Sequence, residues 1–437
     1  MSAQPLANPR LPWLLAGAVL VVGLVAAPRV FHNYDVVDCF LAWSRATEGT
    51  RPWRVYTPGV GADDCDYPAL VPYALTLVEG ARLAAGAPPV GPLAVSLLKL
   101  PSLLSLFLAV PVALGGLRRR LGEDGARMAA ILLATSPAWF VNAALWGQFD
   151  VPLARLMVGA VLALLAARPV LAGVVTGLAL STKLLAIVPV PLLALWVWRR
   201  QGWRALARAS AAALLVVLLL ALPHVLAGRG RAMLRAYTGA VGYYPYRTVE
   251  AYNTWYLLDR YDVLVRGLSP PEARRDDRPA LGPLTFHHLG LGVLAVYSFA
   301  LLVVLWRRPM APVLLWCAAL QLFGFFMLPT QVHQRYIVPV VGLLALVACG
   351  SRRGWPVFVG VTVTATLNQA LDLVRALPAG PLPWGALAAA DLPLATRMAR
   401  DLGAGVALAN VLLFAWALLA FRKDLAEEAE VRGLEPP

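Results

Sequence analysis

The chain has 437 residues, of which 59% are hydrophobic and 14% are charged, and its mean hydropathy is +0.68. This apolar content exceeds that of a soluble domain, so the composition predicts an all-α, polytopic protein in which residues 1–437 form one integral membrane domain. The formal charge of +14 does not indicate a nucleic acid partner, because the arginines form short clusters between apolar runs, as in cytoplasmic loops.

Apolar runs of spanning length predict about twelve spans with both chain termini in the cytoplasm. The first run, about Leu11 to Ala27, is expected to be an anchor helix and not a cleaved signal peptide. The other predicted spans are Pro92–Leu117, Met128–Leu145, Val151–Ala167, Val170–Thr182, Leu184–Trp198, Leu206–Leu226, Phe286–Trp306, Ala311–Leu328, Tyr336–Gly350, Pro356–Leu371 and Ala404–Phe421.

Two long external loops follow from this topology, residues 28–91 and residues 227–285. The apolar stretch Tyr67 to Ala85 lies within the first loop and could be a span by itself. A span there would put Arg118, Arg119 and Arg120 outside, against the positive-inside rule. We therefore predict that this stretch lies in the membrane interface.

The runs Val170–Thr182 and Leu184–Trp198 are each shorter than a full span needs. Fusing them into one span would place Arg199 and Arg200 on the outside. We therefore predict two short helices that meet at Lys183, below the outer surface, where the broken backbone must be covered by protein or line a wet cavity.

Polar residues from six separate parts of the chain are predicted to reach the outer leaflet. These are Asp35, Asp38, Asp66, Tyr67, Lys99, Trp146, Gln148, Asp150, Lys183, Asn253, Trp255, His333 and Arg335. Such a convergence of carboxylates and cations at one membrane face is what a site for a charged, lipid-linked substrate requires.

Asp35 has two interpretations of about equal weight. It precedes an amphipathic stretch with Val36, Phe40 and Trp43 on one face, so it could cap an interfacial helix. It could also be the carboxylate that accepts a proton from an attacking hydroxyl. Asp38, one turn later, is the reserve candidate, and a solvated helix face is its simpler interpretation.

Three sets of basic residues are expected near the outer leaflet: Lys183, Lys99, and the pair His333 and Arg335. Lys183 is costly within apolar helices unless it has a partner, and a phosphate would be such a partner. Lys99 lies at the start of its span and is better explained as an interface anchor. His333 and Arg335 lie in one short loop and, facing Lys183, make a plausible clamp for a lipid phosphate.

The run WGQFD ends an apolar span and is either a turn with a helix cap or a sugar contact. In the first interpretation Arg155 would pair with Asp150; in the second, Gln148 and Asp150 would bind sugar hydroxyls and Trp146 would stack on the ring. The aromatic residues of loop 227–285, including Trp255, fit an interfacial belt better than a sugar-stacking surface.

Cysteine spacing shows no metal site, and no triad of metal ligands accompanies the paired aspartates, so we predict neither metal nor cofactor. Cys39 and Cys65 flank the acidic loop and could form a disulfide in an oxidising compartment.

Several runs together resemble the GT-C superfamily of membrane glycosyltransferases. YDVVDCFLAW, from Tyr34, is similar to the loop that carries the catalytic base in that family, and DYPAL, from Asp66, resembles the DYPPL element of dolichol-linked glucosyltransferases and bacterial polyprenol-dependent mannosyltransferases. WGQFD, AYNTW and VHQRY also resemble that bacterial group, although Gln334 stands where glutamate is more usual. The resemblance extends from Asn33 to Tyr336.

The resemblance implies an inverting transfer of a hexose, with mannose favoured, from a polyprenyl phosphate. Asp35 or Asp38 would deprotonate the acceptor hydroxyl, while Lys183, His333, Arg335 and Lys99 would contact the donor phosphate. Sugar or acceptor contacts would come from Asp66, Tyr67, Trp146, Gln148, Asp150, Asn253 and Trp255. The acceptor could be a glycolipid, a glycan or a protein hydroxyl, at the extracytoplasmic face of a bacterial plasma membrane.

The competing class is a lipid or glycolipid transporter or flippase without transferase activity. It predicts charges at mid-membrane and a repeat that relates the two halves of the chain. The charges instead collect at one face, and the sequence shows no such repeat. A non-enzymatic scaffold of the cell envelope is a third class, and it gives no reason for the acidic first loop.

Overall fold

The computed structural model describes residues 8–239, 242–378, 382–387 and 392–431. Helices account for most of these residues. The helices of the first half are α1 (Leu11–Ala26), α2 (Leu41–Ala46), α3 (Leu70–Ala84), α4 (Pro92–Phe107), α5 (Ala109–Thr135), α6 (Pro137–Phe140), α7 (Asp150–Leu165), α8 (Pro169–Leu180) and α9 (Val190–Gln201).

The second half contains the remaining α-helices and one small antiparallel pair of strands. These elements are α10 (Trp203–Leu226), α11 (Gly230–Thr238), α12 (Thr254–Leu264), α13 (Pro270–Ala273), β1 (Pro279–Leu281), β2 (Leu284–Thr285), α14 (Phe286–Arg307), α15 (Ala311–Met327), α16 (Val338–Gly350), α17 (Gly354–Arg375) and α18 (Leu392–Val431). The predicted all-α, polytopic class is confirmed.

Each of the twelve predicted spans overlaps a helix. By length and composition, six helical stretches among the described residues could cross a membrane, and the longest, Pro92–Trp146, has 55 residues. At a rise of about 1.5 Å per residue this stretch is long enough to cross twice, and the non-helical Gly122 divides it (φ 70°). The total of twelve crossings stays a prediction.

The face of α10 that points away from the bundle is apolar. Leu214, Leu215, Leu218 and Leu219 are each more than half exposed. A continuous apolar surface of this kind is unfavourable in water and is satisfied by lipid. The protein is therefore an integral membrane protein.

Helices α8 and α10 approach each other at the level of their backbones. A Cβ atom on Gly173 would lie 2.1 Å from the Ala209 carbonyl oxygen, and one on Gly177 would lie 2.6 Å from that of Ala213. Glycines four residues apart on one helix face allow such contact, which is a common way to pack helices in membranes.

Three local breaks in helical geometry position the site. Residues Tyr34–Phe40 and Val141–Trp146 form π-helical turns, which often mark functional sites. Between α8 and the short 3₁₀ turn Leu184–Ile187, Lys183 has an extended backbone (φ −161°, ψ 142°). The predicted meeting of two short helices at Lys183 is therefore observed. The stretch predicted to be interfacial forms α3, and its depth in a membrane stays a prediction.

Candidate active site

Asp35 is held through one of its two carboxylate oxygens. Its Oδ2 accepts hydrogen bonds from Trp146 Nε1, at 2.8 Å, and from Gln148 Nε2. Gln148 is fixed in turn because its Oε1 accepts the Tyr67 hydroxyl at 2.7 Å. The helix N-cap is Asn33, not Asp35, and among the described residues the hydrogen bonds to the Asp35 carboxylate come from Trp146 and Gln148, so the contacts do not support the capping interpretation.

Burial opposes ionisation of Asp35, whereas the positive charge of Arg335 and the hydrogen bonds from Trp146 and Gln148 favour it. The pKa of Asp35 is therefore lowered below its ordinary value. The group is an ionised carboxylate at neutral pH. Its Oδ2 already accepts two hydrogen bonds, and its Oδ1 can accept a hydrogen bond from a substrate hydroxyl.

His32 belongs to the same site, although no motif pointed to it. Its ring stacks on Trp146 with centroids 4.7 Å apart, and its Nδ1 accepts the backbone N–H of Asp35 at 3.1 Å. Burial lowers the pKa of His32, so the ring is neutral and Nδ1 serves as an acceptor. The signal in the sequence was a histidine one turn before an acidic residue, in a chain with five histidines.

Lys183 pairs with Asp150 in the interior. The two charged atoms are 2.7 Å apart, and Asp150 is completely buried. Asn142 Nδ2 donates to the other carboxylate oxygen at 3.2 Å. The rings of Tyr67 and Tyr336 flank the ammonium at 5.5 and 5.2 Å. Lys183 thus reaches the site already neutralised by a residue that we expected to contact sugar.

Arg155 does not pair with Asp150, and that expectation was wrong. Its guanidinium lies over the Trp139 ring at 3.9 Å and donates to the Leu133 carbonyl. Asp150 faces Lys183 instead, because the backbone break at position 183 brings that ammonium to the start of α7.

Arg335 lies between the two buried carboxylates without a hydrogen bond to either. Its Nη1 is 3.9 Å from Asp35 Oδ2 and its Nε is 3.8 Å from Asp150 Oδ2. Both separations exceed hydrogen-bond distance. Within the described parts of the chain, Nε is buried and has no hydrogen-bond partner. The guanidinium therefore keeps donors available for a ligand.

His333 adjoins these cations but does not add a charge to them. Its ring contacts Tyr244 and Tyr336, with centroids 5.1 and 5.2 Å apart. Burial, followed by the charges of Arg335 and Lys183, lowers the pKa of His333 well below its ordinary value. A neutral imidazole can donate or accept one hydrogen bond to a ligand, which differs from the cationic clamp that we expected.

The acidic residues around Asp35 differ in access. The Asp66 side chain is exposed; desolvation by the neighbouring protein raises its pKa, while Lys183 and Arg335 act in the opposite direction. Asp38 is half-buried, accepts a 3.4 Å hydrogen bond from Asn33 and has a pKa raised by burial. At position 334 the glutamine side chain donates to Asp372 at 2.5 Å.

Lys99 has a structural environment that conflicts with phosphate binding. It is fully buried, and its ammonium donates to the carbonyl oxygens of Ala27, Val30, Ala144 and Leu145 at 2.6 to 3.0 Å. No donor remains for a ligand, and it is not the interface anchor that we favoured.

Three residues expected to contact sugar are engaged in the fold. Asn253 caps α12 and donates to the Phe326 carbonyl, while Trp255 donates to the Leu328 carbonyl at 2.8 Å. Trp146 is completely buried between His32 and Asp35. These contacts leave the Trp146 ring no free face for stacking on a sugar.

Among the described residues, no group of three or more His, Cys, Asp or Glu side chains is arranged to hold a metal ion, and the expectation that none is needed stays a prediction. Cys39 and Cys65 are both buried as free thiols, so the disulfide that we considered does not form here.

The comparisons with known proteins identify the family. The sequence model of glycosyltransferase family 87 matches residues 85–330, more than half of the chain. No curated protein sequence matches.

Among solved structures, ArnT from Cupriavidus metallidurans bound to undecaprenyl phosphate is similar, with a TM-score of 0.52 and 18% identity over 95% of this chain and 79% of that chain. The apo state of the same protein gives 0.51 and 19%, over 93% and 76%. The apo oligosaccharyltransferase of Archaeoglobus fulgidus gives a TM-score of 0.39 and 15% identity, over 97% of this chain and 60% of that chain. At these identities the likeness to ArnT shows a shared GT-C fold. The chain is a membrane glycosyltransferase and belongs to glycosyltransferase family 87.

Proposed function

We propose that this enzyme transfers a hexose from a polyprenyl phosphate to a hydroxyl acceptor, with inversion at the anomeric carbon, on the extracytoplasmic side of a bacterial plasma membrane. Family membership supports sugar transfer. The solved ArnT structure contains undecaprenyl phosphate, which supports a lipid-linked donor for a chain of the same fold. Mannose is the candidate sugar because the sequence runs resemble polyprenol-dependent mannosyltransferases. The acceptor is a glycolipid, a glycan or a protein hydroxyl.

In this proposal Asp35 is the general base. Trp146 and Gln148 hold Oδ2, so Oδ1 is the oxygen that accepts the proton as the acceptor hydroxyl attacks the anomeric carbon. General base catalysis of this kind contributes about 10²- to 10⁴-fold. Asp38 is the alternative base, but among the described residues its carboxylate accepts a hydrogen bond only from Asn33, at 3.4 Å, and so lacks comparable donors to orient it.

The observation that carries the proposal is the position of Arg335 beside Asp35 without a hydrogen bond to it. A phosphate accepts hydrogen bonds from a guanidinium in a two-point arrangement, and Arg335 has donors to give. The ammonium of Lys183 and the imidazole of His333 would complete the contacts with the departing lipid phosphate. These groups would stabilise the charge that develops on the leaving oxygen.

Donor binding would also change the base. When a phosphate draws the Arg335 guanidinium away, Asp35 loses the positive neighbour that helps to lower its pKa. The carboxylate then becomes a stronger base when the donor is in place. Asp66, open to solvent and close to Lys183 and Arg335, is the candidate contact for sugar hydroxyls.

A donor screen with the purified protein tests this function. The protein is incubated with polyprenyl phosphate-linked mannose, glucose and arabinose, and with the corresponding sugar nucleotides, in the presence of mixed membrane glycolipid acceptors. We expect a lipid-linked hexose donor, and not the pentose donor arabinose, to be consumed and the product to have the opposite anomeric configuration by NMR. Consumption of a sugar nucleotide in the absence of any lipid-linked donor, or a product with retained configuration, contradicts the proposal.

A further inference from the structure

A large cavity lies at the opposite end of α7 from the candidate active site. It has a volume of about 980 Å³, and Leu165 and Gly350 are among its lining residues. Leu165 ends α7, a helix of 16 residues whose first residue is Asp150 of the candidate active site. At about 1.5 Å per residue the two ends of α7 are roughly 22 Å apart, so donor and acceptor contacts do not account for the cavity.

The walls of this cavity are largely apolar and its remaining lining is charged. The apolar residues include Leu117, Leu121, Leu165, Leu315, Leu346 and Val347. Three arginines and three acids also line it, at the ends of helices that the arginine clusters place on the cytoplasmic side. An amphipathic ligand, with a polar head and apolar chains, matches such a lining.

The charges are not paired evenly. Asp424 and Glu427 both contact Arg353, and Asp424 also accepts the Trp316 indole N–H at 3.0 Å. Over the described residues, neither Arg120 nor Arg352 has a carboxylate within 4.0 Å, and the one hydrogen bond from the Arg120 guanidinium goes to a backbone carbonyl. Two arginines that line the cavity, Arg120 and Arg352, therefore have no anionic partner in the described parts of the chain.

We propose that this cavity binds a phospholipid of the cytoplasmic leaflet, with the lipid phosphate on Arg120 and Arg352. Basic pockets between membrane helices on the cytoplasmic side bind lipid headgroups in this way, and phosphate is a strong acceptor for guanidinium donors. The acyl chains lie along Leu117, Leu121, Leu165 and Leu315. A free phosphate ion would leave these apolar walls uncovered, which favours the lipid over the ion.

Thermal unfolding of the delipidated full-length protein tests the proposal. Phosphatidylglycerol, diacylglycerol with the same acyl chains, and diacylglycerol with inorganic phosphate are each titrated into the detergent solution. We expect phosphatidylglycerol alone to raise the unfolding temperature of the wild type. The double variant Arg120→Gln/Arg352→Gln should need about tenfold more of it for half of the effect, because charge-assisted hydrogen bonds are lost.

Arg119→Gln is the matched control, since it removes the same charge from the neighbouring position of α5, and Arg119 does not line the cavity. It should respond to phosphatidylglycerol like the wild type. If the double variant does not fold, the single variant Arg352→Gln at an exposed position gives the same comparison. The proposal is overturned if diacylglycerol, alone or with inorganic phosphate, stabilises the wild type as much as phosphatidylglycerol does. It is also overturned if Arg119→Gln responds as weakly as the cavity variants, or if phosphatidylglycerol does not stabilise the wild type.

Discussion

Asp35 and Arg335 are close enough for each to influence the charge of the other without a hydrogen bond. Nη1 of the arginine is 3.9 Å from Oδ2 of the aspartate, and both side chains are mostly buried. A positive neighbour favours the ionised carboxylate and lowers its pKa. Removing that neighbour must therefore raise the pKa of Asp35.

The variant Arg335→Gln should move the acid limb of the activity profile to higher pH. With the pKa of Asp35 raised, a smaller fraction of the base is ionised at a given acidic pH, so kcat/KM begins to fall at a higher pH than in the wild type. The measurement is kcat/KM against pH with the lipid-linked donor. Loss of donor affinity lowers kcat/KM at every pH, whereas a change in the pKa of Asp35 moves the pH at which kcat/KM begins to fall. An unchanged limb would show that Arg335 does not act on the base.

The two buried lysines should respond differently to the same substitution. Lys99→Met leaves four buried carbonyl oxygens without their donor, and we expect a loss of about 1–3 kcal/mol in stability with near-normal donor binding by the folded protein. Lys183→Met should weaken donor binding and, because it leaves the buried Asp150 carboxylate without its cation, should also lower stability. Thermal unfolding and a donor-binding titration on both variants provide the check, and a Lys99→Met protein that folds normally but cannot bind the donor would restore Lys99 to the site.

At the scale of elements, the contact between α8 and α10 depends on the absence of side chains at two glycines. A methyl group at position 177 would meet the Ala213 carbonyl oxygen at 2.6 Å. We expect Gly177→Ala to lower stability by about 1–3 kcal/mol through overpacking.

Gly115→Ala is the control for this variant, because no atom lies within 4 Å of a Cβ atom built at that helical position. Alanine restricts the unfolded chain and suits a helix, so this change should be neutral or stabilising by about 0.4–1 kcal/mol. Thermal unfolding of the two variants side by side decides the matter. Similar unfolding temperatures for both would mean that the two helices are less closely packed than described.

Across the whole molecule, the sequence predicted best those structural features that depend on one physical property, such as the length of an apolar run. Apolar run length predicted the helices, because the bilayer sets the length of a span. Charge sidedness led to the break at Lys183, because a single fused span would have put Arg199 and Arg200 outside. Burial of a lysine in apolar surroundings also indicated that Lys183 needs an anionic partner.

The identity of each partner was beyond the sequence, because it depends on how distant helices pack. Lys183 meets Asp150, and Lys99 meets backbone carbonyls that no side-chain pattern reveals. His32 and Trp146 stack although they are far apart in the chain. Asn253 and Trp255 belong to the run AYNTW, which resembles a family motif. In the structure Asn253 caps α12, and Trp255 donates to the Leu328 carbonyl.

In the proposed mechanism, Asp35 is the base at a site that also binds the lipid phosphate. The direct measurement is single-turnover transfer from the radiolabelled polyprenyl phosphate sugar, with donor affinity measured on the same samples, for Asp35→Asn and for the control Asp64→Asn in the same loop, where the side chain is exposed. We predict that Asp35→Asn binds the donor but transfers about 10²- to 10⁴-fold more slowly, while Asp64→Asn transfers like the wild type. Transfer by Asp35→Asn at the wild-type rate would contradict the account.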